Sequence, residues 1–204
     1  VKEGNYSEKV QIVSNDSFGD INETYYKEGI FVGYRYFTSI NKAPMYPFGF
    51  GLGYTDFQLT LKNVSKDKDK FTIYITIKNV GQHKGKEVAQ IYLSKVSTKE
   101  FPNPAVELVG FKKSKELLPT QSEEVSITFS PADFANFDEK LSAYVLKKGI
   151  YLIKFGNDSS SLQTCASFEI EKDIVLQSVK RYEHEINVNE DEHIFVSNYP
   201  KNTE

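Results

Sequence analysis

Phe71-Thr72-Ile73-Tyr74-Ile75-Thr76-Ile77-Lys78-Asn79 decides the fold. The stretch alternates with period two over nine residues and is rich in β-branched and aromatic side chains. Successive side chains of a strand point to opposite faces, so this is the pattern of a strand with one face in a core. Working outward, the charged run Ser65-Lys66-Asp67-Lys68-Asp69-Lys70 reads as a hairpin turn, and Phe57, Leu59 and Leu61 alternate as the strand before it. Downstream, Val80 to Gly85 is a glycine loop, and Val88-Ala89-Gln90-Ile91-Tyr92-Leu93 is a third strand. Phe101-Pro102-Asn103-Pro104 is a turn, and Ala105 to Lys113 is a fourth strand or an edge segment. After the turn Leu117-Leu118-Pro119-Thr120, Glu124 to Phe129 alternates again. Pro131 to Phe137 is expected to make one helical turn, with Ser130 as N-cap, Pro131 at its first position and Asp133 in the first turn. Leu141 to Val145, Gly149 to Phe155 and Cys165 to Ile170 complete the strands, the last two separated by the polar loop Gly156 to Ser161.

Seven or eight short strands with frequent turn signals and almost no helix predict an all-β fold. The expected architecture is an antiparallel two-sheet immunoglobulin/fibronectin-III-like β-sandwich, with an extended N-terminal connector and a polar C-terminal tail. The antibody-type Cys, Trp, Cys set is missing, since there is no Trp and Cys165 is the one cysteine, so the fibronectin-III-like variant fits better. We expect residues 1–50 to be a largely irregular connector, 51–175 the sandwich, and 176–204 a tail or linker.

The composition narrows the function. Fifteen Phe and 13 Tyr supply core area despite a hydrophobic fraction of 39%. The net charge of -3, with both signs interspersed, gives no basic face for a nucleic acid. No apolar run approaches the ~20 residues of a membrane span. A single cysteine excludes an intrachain disulfide framework, and Cys165 is expected to be half-buried on a strand. The chain opens on Val1, with no basic-then-apolar leader, and is expected to be a piece of a longer protein. The compartment, cytoplasmic or secreted, stays open. Asn-x-Ser/Thr triplets stand at Asn5, Asn15, Asn22, Asn63 and Asn157.

Ahead of the strands lies a stretch of a different kind. Glu28-Gly29-Ile30-Phe31-Val32-Gly33-Tyr34-Arg35-Tyr36-Phe37 is followed by Pro47-Phe48-Gly49-Phe50-Gly51-Leu52-Gly53-Tyr54-Thr55-Asp56-Phe57. Glycines among bulky aromatics weaken any regular element, so the backbone here must bend or pass close to another surface. Residues 30–37 are expected to be a short strand or a tight connecting segment, and Pro44 and Pro47 block helix around Met45-Tyr46. Glu28 and Arg35 are expected to pin the connector as an ion pair.

A search for chemistry finds little. His83 stands alone in a loop, and His184 and His193 lie in the acidic tail without the spacing of a metal site. No Gly-x-Ser-x-Gly elbow occurs. Gly49-Phe50-Gly51-Leu52-Gly53 has the glycines of a phosphate loop but no Lys-Ser/Thr after it. Lys66 to Lys70 alternates in sign, as a solvated hairpin tip does. No cofactor, metal or catalytic residue is expected.

The connector, with Tyr26 before it, closely resembles the connector of family-three glycoside hydrolases, the β-glucosidases, β-xylosidases and relatives. The resemblance continues through Asn79-Val80-Gly81, Gly85-Lys86-Glu87-Val88-Ala89-Gln90-Ile91-Tyr92-Leu93, Glu107-Leu108-Val109-Gly110-Phe111-Lys112-Lys113, Phe137-Asp138 and Gly149-Ile150-Tyr151, to Phe155-Gly156-Asn157-Asp158-Ser159-Ser160. It covers about residues 25–175. Gly53 stands where the family usually has Ser, and Tyr144 where many relatives carry Trp.

The resemblance implies a connector at the end of an α/β sandwich domain, leading into a fibronectin-III-like domain. It implies a parent that cleaves terminal β-glycosidic bonds with retention, through two carboxyls ~5–5.5 Å apart. In the family these lie on a barrel and on the α/β sandwich domain. No residue here matches either, so the chain resembles the non-catalytic end. Ile170 to Lys180 also resembles the end of this domain in relatives whose barrel follows it, so the order of domains stays open. The implied partners are the barrel and α/β sandwich domains of the same protein, with the carbohydrate substrate reached through the parent. The expected docking residues are Glu28, Gly29, Gly33, Tyr34, Arg35, Phe48, Gly49, Gly51 and Tyr54. The alternatives are a carbohydrate-binding β-sandwich module, with exposed aromatics stacking on sugars, and an adhesion sandwich.

Overall fold

The computed structural model describes residues 29–95 and 103–180. Among the described residues, the unit spanning 30–179 contains all the regular elements. After one short helix, α1 (Tyr34–Ser39), come ten strands: β1 (Phe57–Asp67), β2 (Lys70–Asn79), β3 (Val88–Lys95), β4 (Glu107–Lys113), β5 (Ser122–Phe129), β6 (Asn136–Asp138), β7 (Ala143–Leu146), β8 (Gly149–Gly156), β9 (Gln163–Ile170) and β10 (Ile174–Ser178).

Two sheets form the sandwich, one ordered β1-β2-β5 and the other β4-β3-β8-β9. All described pairings are antiparallel. The alternation in β2 works as the sequence predicts. Ile73, Ile75 and Ile77 are fully buried, while Thr72, Tyr74 and Thr76 lie on the outer face. Thr72 meets Thr128 of β5 across that face, hydroxyl to hydroxyl at 2.9 Å. The three isoleucines pack with Val125, Ile127 and Phe129 of β5 against Ala89, Ile91 and Leu93 of β3 and Ile153 and Phe155 of β8. A chain of rings, Phe129, Phe71, Phe168 and Tyr151, with successive centroids 5.7, 4.9 and 5.1 Å apart, closes one end of this core.

A third, smaller sheet, ordered β6-β7-β10, was not foreseen. It is the outer half of a bent hairpin. The pairs β8–β9 and β7–β10 are the same two chain segments, interrupted where Lys147-Lys148 faces Glu171 to Asp173. Gly149, at φ 139°, turns the corner. The Lys147 ammonium bridges Asp138 at 2.8 Å and Asp173 at 3.2 Å, and the Lys148 N–H donates to Asp173 Oδ1 at 2.8 Å. β10 therefore carries the sheet across residue 176, where the tail was expected to begin, because Val175 and Gln177 find partners on β7.

Two local expectations are corrected. Residues 34–39 form a helix where a strand or tight segment was expected; tertiary bonds hold it, since six residues are too few for a helix to persist alone. The helical turn after Ser130 is a 3₁₀ turn limited to Pro131–Phe134, and Asn136–Asp138 is a strand. Ser130 caps the turn as expected: its hydroxyl accepts from the Ala132 N–H, and its own N–H donates to Asp133 Oδ2 at 3.1 Å. Cys165 sits half-buried on β9, and burial pushes its thiol up to about 11, so it is not a thiolate near neutrality.

Ile75→Ala leaves a void in the fully buried centre of β2 and is expected to cost ~2–5 kcal/mol in urea unfolding. A second expectation concerns acid. The hydrogen bond from Lys147, helped by backbone N–H groups, holds the Asp138 carboxyl below its ordinary 3.8. Its folded value lies below its unfolded one, so ionised Asp138 stabilises the fold above that range, and the contribution is lost as pH falls through the folded value. Asp138→Asn should destabilise the chain at pH 7, and its melting temperature should fall less steeply towards acid pH than that of the unsubstituted chain.

Candidate docking surface

The connector lies over the outer face of β3 and the start of β4. The sequence of β3 shows why it must. Gln90 and Tyr92 point away from the inter-sheet core, yet they are 4% and 0% exposed. Something has to cover them, and residues 34–49 do so.

Gly33, at φ 58°, lets the chain turn into α1 without a Cβ in the left-handed region. The helix then meets residues 105–108 through one face. The Leu108 N–H donates to Tyr34 Oη at 3.0 Å, and the Ala105 N–H donates to Ser39 Oγ at 2.9 Å. The Arg35 guanidinium donates to Glu107 Oε1 at 2.6 Å. Glu28, the partner expected for Arg35, lies outside the described residues. Burial raises the Glu107 carboxyl, and the Arg35 charge beside it opposes that shift without cancelling it. The pair therefore fixes position more than it adds stability, as desolvated ion pairs commonly do. The Tyr34 ring packs on Phe48 (centroids 5.1 Å apart) and edge-on to Tyr92 (5.9 Å).

Pro47-Phe48-Gly49-Phe50 is a turn closed by Phe50 N–H to Pro47 O at 2.9 Å, with Gly49 at φ 92° in its third position. The Ser159 N–H donates to Phe48 O at 2.8 Å. A Cβ at Gly49 would strike Gln90 Nε2 and lie 2.6 Å from Asn157 O. The glycine is there because the backbone runs directly over Gln90, whose amide donates to Asn157 O at 2.8 Å and whose oxygen accepts from the Tyr92 hydroxyl. Burial raises the Tyr92 hydroxyl well above its usual range, keeping it a donor. Further on, Thr55 Oγ1 donates to Asn79 Oδ1 at 2.7 Å. Asn79, fully buried, donates to the carbonyls of His83 (2.7 Å) and Leu117 (2.8 Å).

The outward side of the same segment is apolar and open. Met45, Tyr46, Phe48, Phe50, Leu52 and Tyr54 are all exposed, Leu52 and Tyr54 to 88% and 90%. The Tyr46 and Phe50 rings contact each other at 5.1 Å. Of the residues expected to dock, Tyr34, Arg35, Phe48 and Gly49 come together on the sandwich. Tyr54 is on the outward side, Gly51 has open space around it, and Gly29, at φ 57°, precedes the helix. Sequence reading missed Ser39, Glu107, Gln90 and Asn79. The one signal for them was polarity inside apolar strands, at Gln90 and Asn79. Among the described residues, no three His, Cys, Asp or Glu are placed to hold a metal ion.

Residues 87–159 match the fibronectin type III-like domain family. The sandwich is a fibronectin type III-like domain. It is 36% identical over 151 residues to a β-glucosidase from Kluyveromyces marxianus, covering 73% of this chain and 18% of that protein. It is 33% identical over 174 residues to a β-glucosidase from Ruminococcus albus, covering 82% and 18%. Among solved structures, β-glucosidase 3B from Thermotoga neapolitana in complex with α-D-glucose superposes with a TM-score of 0.67 at 34% identity, over 74% of this chain and 21% of that one. The chain thus spans less than a fifth of the length of these two relatives, in which the matched segment is one domain of a larger family-three β-glucosidase.

Gly49→Ala is expected to lift the turn off Gln90 and cost roughly 1–3 kcal/mol, because the φ and the space are both wrong for a Cβ. Amide exchange checks it: the Ser159 and Leu108 N–H groups should lose protection, while those of β2 keep theirs.

Proposed function

We propose that this chain is the non-catalytic fibronectin-III-like accessory domain, with its connector, of a retaining β-glucosidase-type hydrolase. Its role is to dock on the catalytic barrel and α/β sandwich domains of the same protein and stabilise them. Glu28, Gly29, Gly33, Tyr34, Arg35, Phe48, Gly49, Gly51 and Tyr54 are the connector positions that serve this docking. The observation that carries the reading is the two-sided connector. Its backbone polar groups and Tyr34, Arg35 and Ser39 are bound to the sandwich. Met45, Tyr46, Phe50, Leu52 and Tyr54 face solvent as one apolar strip. Burying a Leu or Met side chain is worth ~1.5–3 kcal/mol, so a strip of this size is a substantial adhesive face when covered. The match to larger β-glucosidases supports the nature of the partner.

Two measurements test this. The chain alone should release no phenol from an aryl β-glucoside; turnover by the chain would overturn the reading. In the full-length parent protein, Leu52→Asp with Tyr54→Asp should lower the melting temperature of the catalytic part. The same pair in the isolated chain should change its stability by under ~0.5 kcal/mol, as exposed substitutions do. A parent without a barrel, or one unaffected by the pair, would refute the docking role.

A further inference from the structure

An open, shallow cleft of about 390 Å³ lies on the small third sheet. It is lined by Ala132, Asp133, Ala135, Tyr144, Leu176 and Gln177. These residues come from the 3₁₀ turn and the residue that ends it, β7 and β10, and none belongs to the connector. The register aligns Phe137, Tyr144 and Gln177 in one cross-strand row. Phe137 packs edge-on against Tyr144, centroids 5.4 Å apart, and braces that ring. The capping bond from the Ser130 N–H holds Asp133 through Oδ2, leaving Oδ1 without a partner among the described residues. The Gln177 amide likewise has no described partner.

We infer that this cleft is a binding site for a neutral pyranose ring, such as the glucosyl unit of a short oligosaccharide. A pyranose has an apolar C–H face and a rim of hydroxyls. Tyr144, braced and 43% exposed, offers a flat apolar face with a polar tip. Asp133 accepts from hydroxyls, and Gln177 both donates and accepts. The lining contains a carboxylate and no cation, which disfavours an acidic sugar. The cleft chemistry stands apart from the docking strip; only the choice of a glucosyl probe rests on the proposed parent.

The test is a titration of the full chain with cellobiose, followed by backbone amide shifts. Saturable shifts are expected at residues 132–135, 144, 176 and 177, with a Kd of about 1 mM. Tyr144→Ala should weaken binding about tenfold. Tyr54→Ala, on the docking strip, should leave it unchanged, and glucuronate should bind more weakly than glucose. Should Tyr144→Ala disturb the fold, Gln177→Ala on the exposed β10 takes its place and should weaken binding about threefold. Absence of saturable shifts, shifts centred on residues 45–54, or equal loss in the Tyr144 and Tyr54 variants would overturn the site. Cellobiose failing to bind, while the Leu52 and Tyr54 substitutions still destabilise the parent, would remove the cleft and leave the docking role intact.

Discussion

The structure depends on burying the outer face of β3. A strand in a two-sheet sandwich normally gives one face to the core and the other to water, and the outer face can then be polar. Here the outer positions are Gln90 and Tyr92, and both are buried. Each polar atom in that layer is satisfied by the next. The Tyr92 hydroxyl donates to Gln90, the Gln90 amide donates to Asn157 O, and Gly49 passes overhead because any larger residue would collide with the pair. A buried hydroxyl or amide left unpaired costs ~1–3 kcal/mol, and here neither is unpaired. The connector is therefore a third layer of the sandwich.

That layer explains what was legible in the sequence and what was not. The two-sheet fold was plain because Ile73, Ile75 and Ile77 alternate cleanly, as do Val125, Ile127 and Phe129, and alternation is a local signal. The run Val88 to Leu93 also announced a strand, and its lack of alternation recorded that both faces are covered. What covers them could not be read, because Arg35 and Glu107 stand 72 positions apart and Ser39 and Ala105 are 66 apart. The helix over Tyr34–Ser39 was hidden for the same reason. Its aromatic and β-branched residues favour strands, and only the bonds to residues 105–108 stabilise the helical form. The Arg35 guanidinium pairs with Glu107 from across the fold, while Glu28, expected beside it from proximity in sequence, lies outside the described residues.

The small third sheet was missed for a different reason. Its strands are three to five residues long, too short for a period to show. It exists because the hairpin β8–β9 continues past a bend at Lys147-Lys148, and the bend is held by one ammonium between two carboxylates. Lys147 and Asp138 are nearly buried, so removing the Lys147 ammonium would leave the Asp138 carboxylate without its ion-pair partner. This ion cluster does for the third sheet what Gly49 and Gln90 do for the connector. Each ties an added layer to the sandwich at one point of close approach.

The two additions leave different surfaces. On the third sheet, the exposed rings of Phe137 and Tyr144 pack edge-on, and Tyr144 stands beside Asp133 and Gln177, so apolar and hydrogen-bonding groups converge at one cleft. On the connector, Met45, Tyr46, Phe50, Leu52 and Tyr54 bring mostly apolar area, while Tyr34, Arg35, Ser39 and the Phe48 carbonyl bond inward to the sandwich. Small ligands need oriented hydrogen bonds for specificity, whereas a permanent domain contact needs area and shape. The division of polar groups matches the two proposed roles, a small molecule at the cleft and a protein surface on the connector strip.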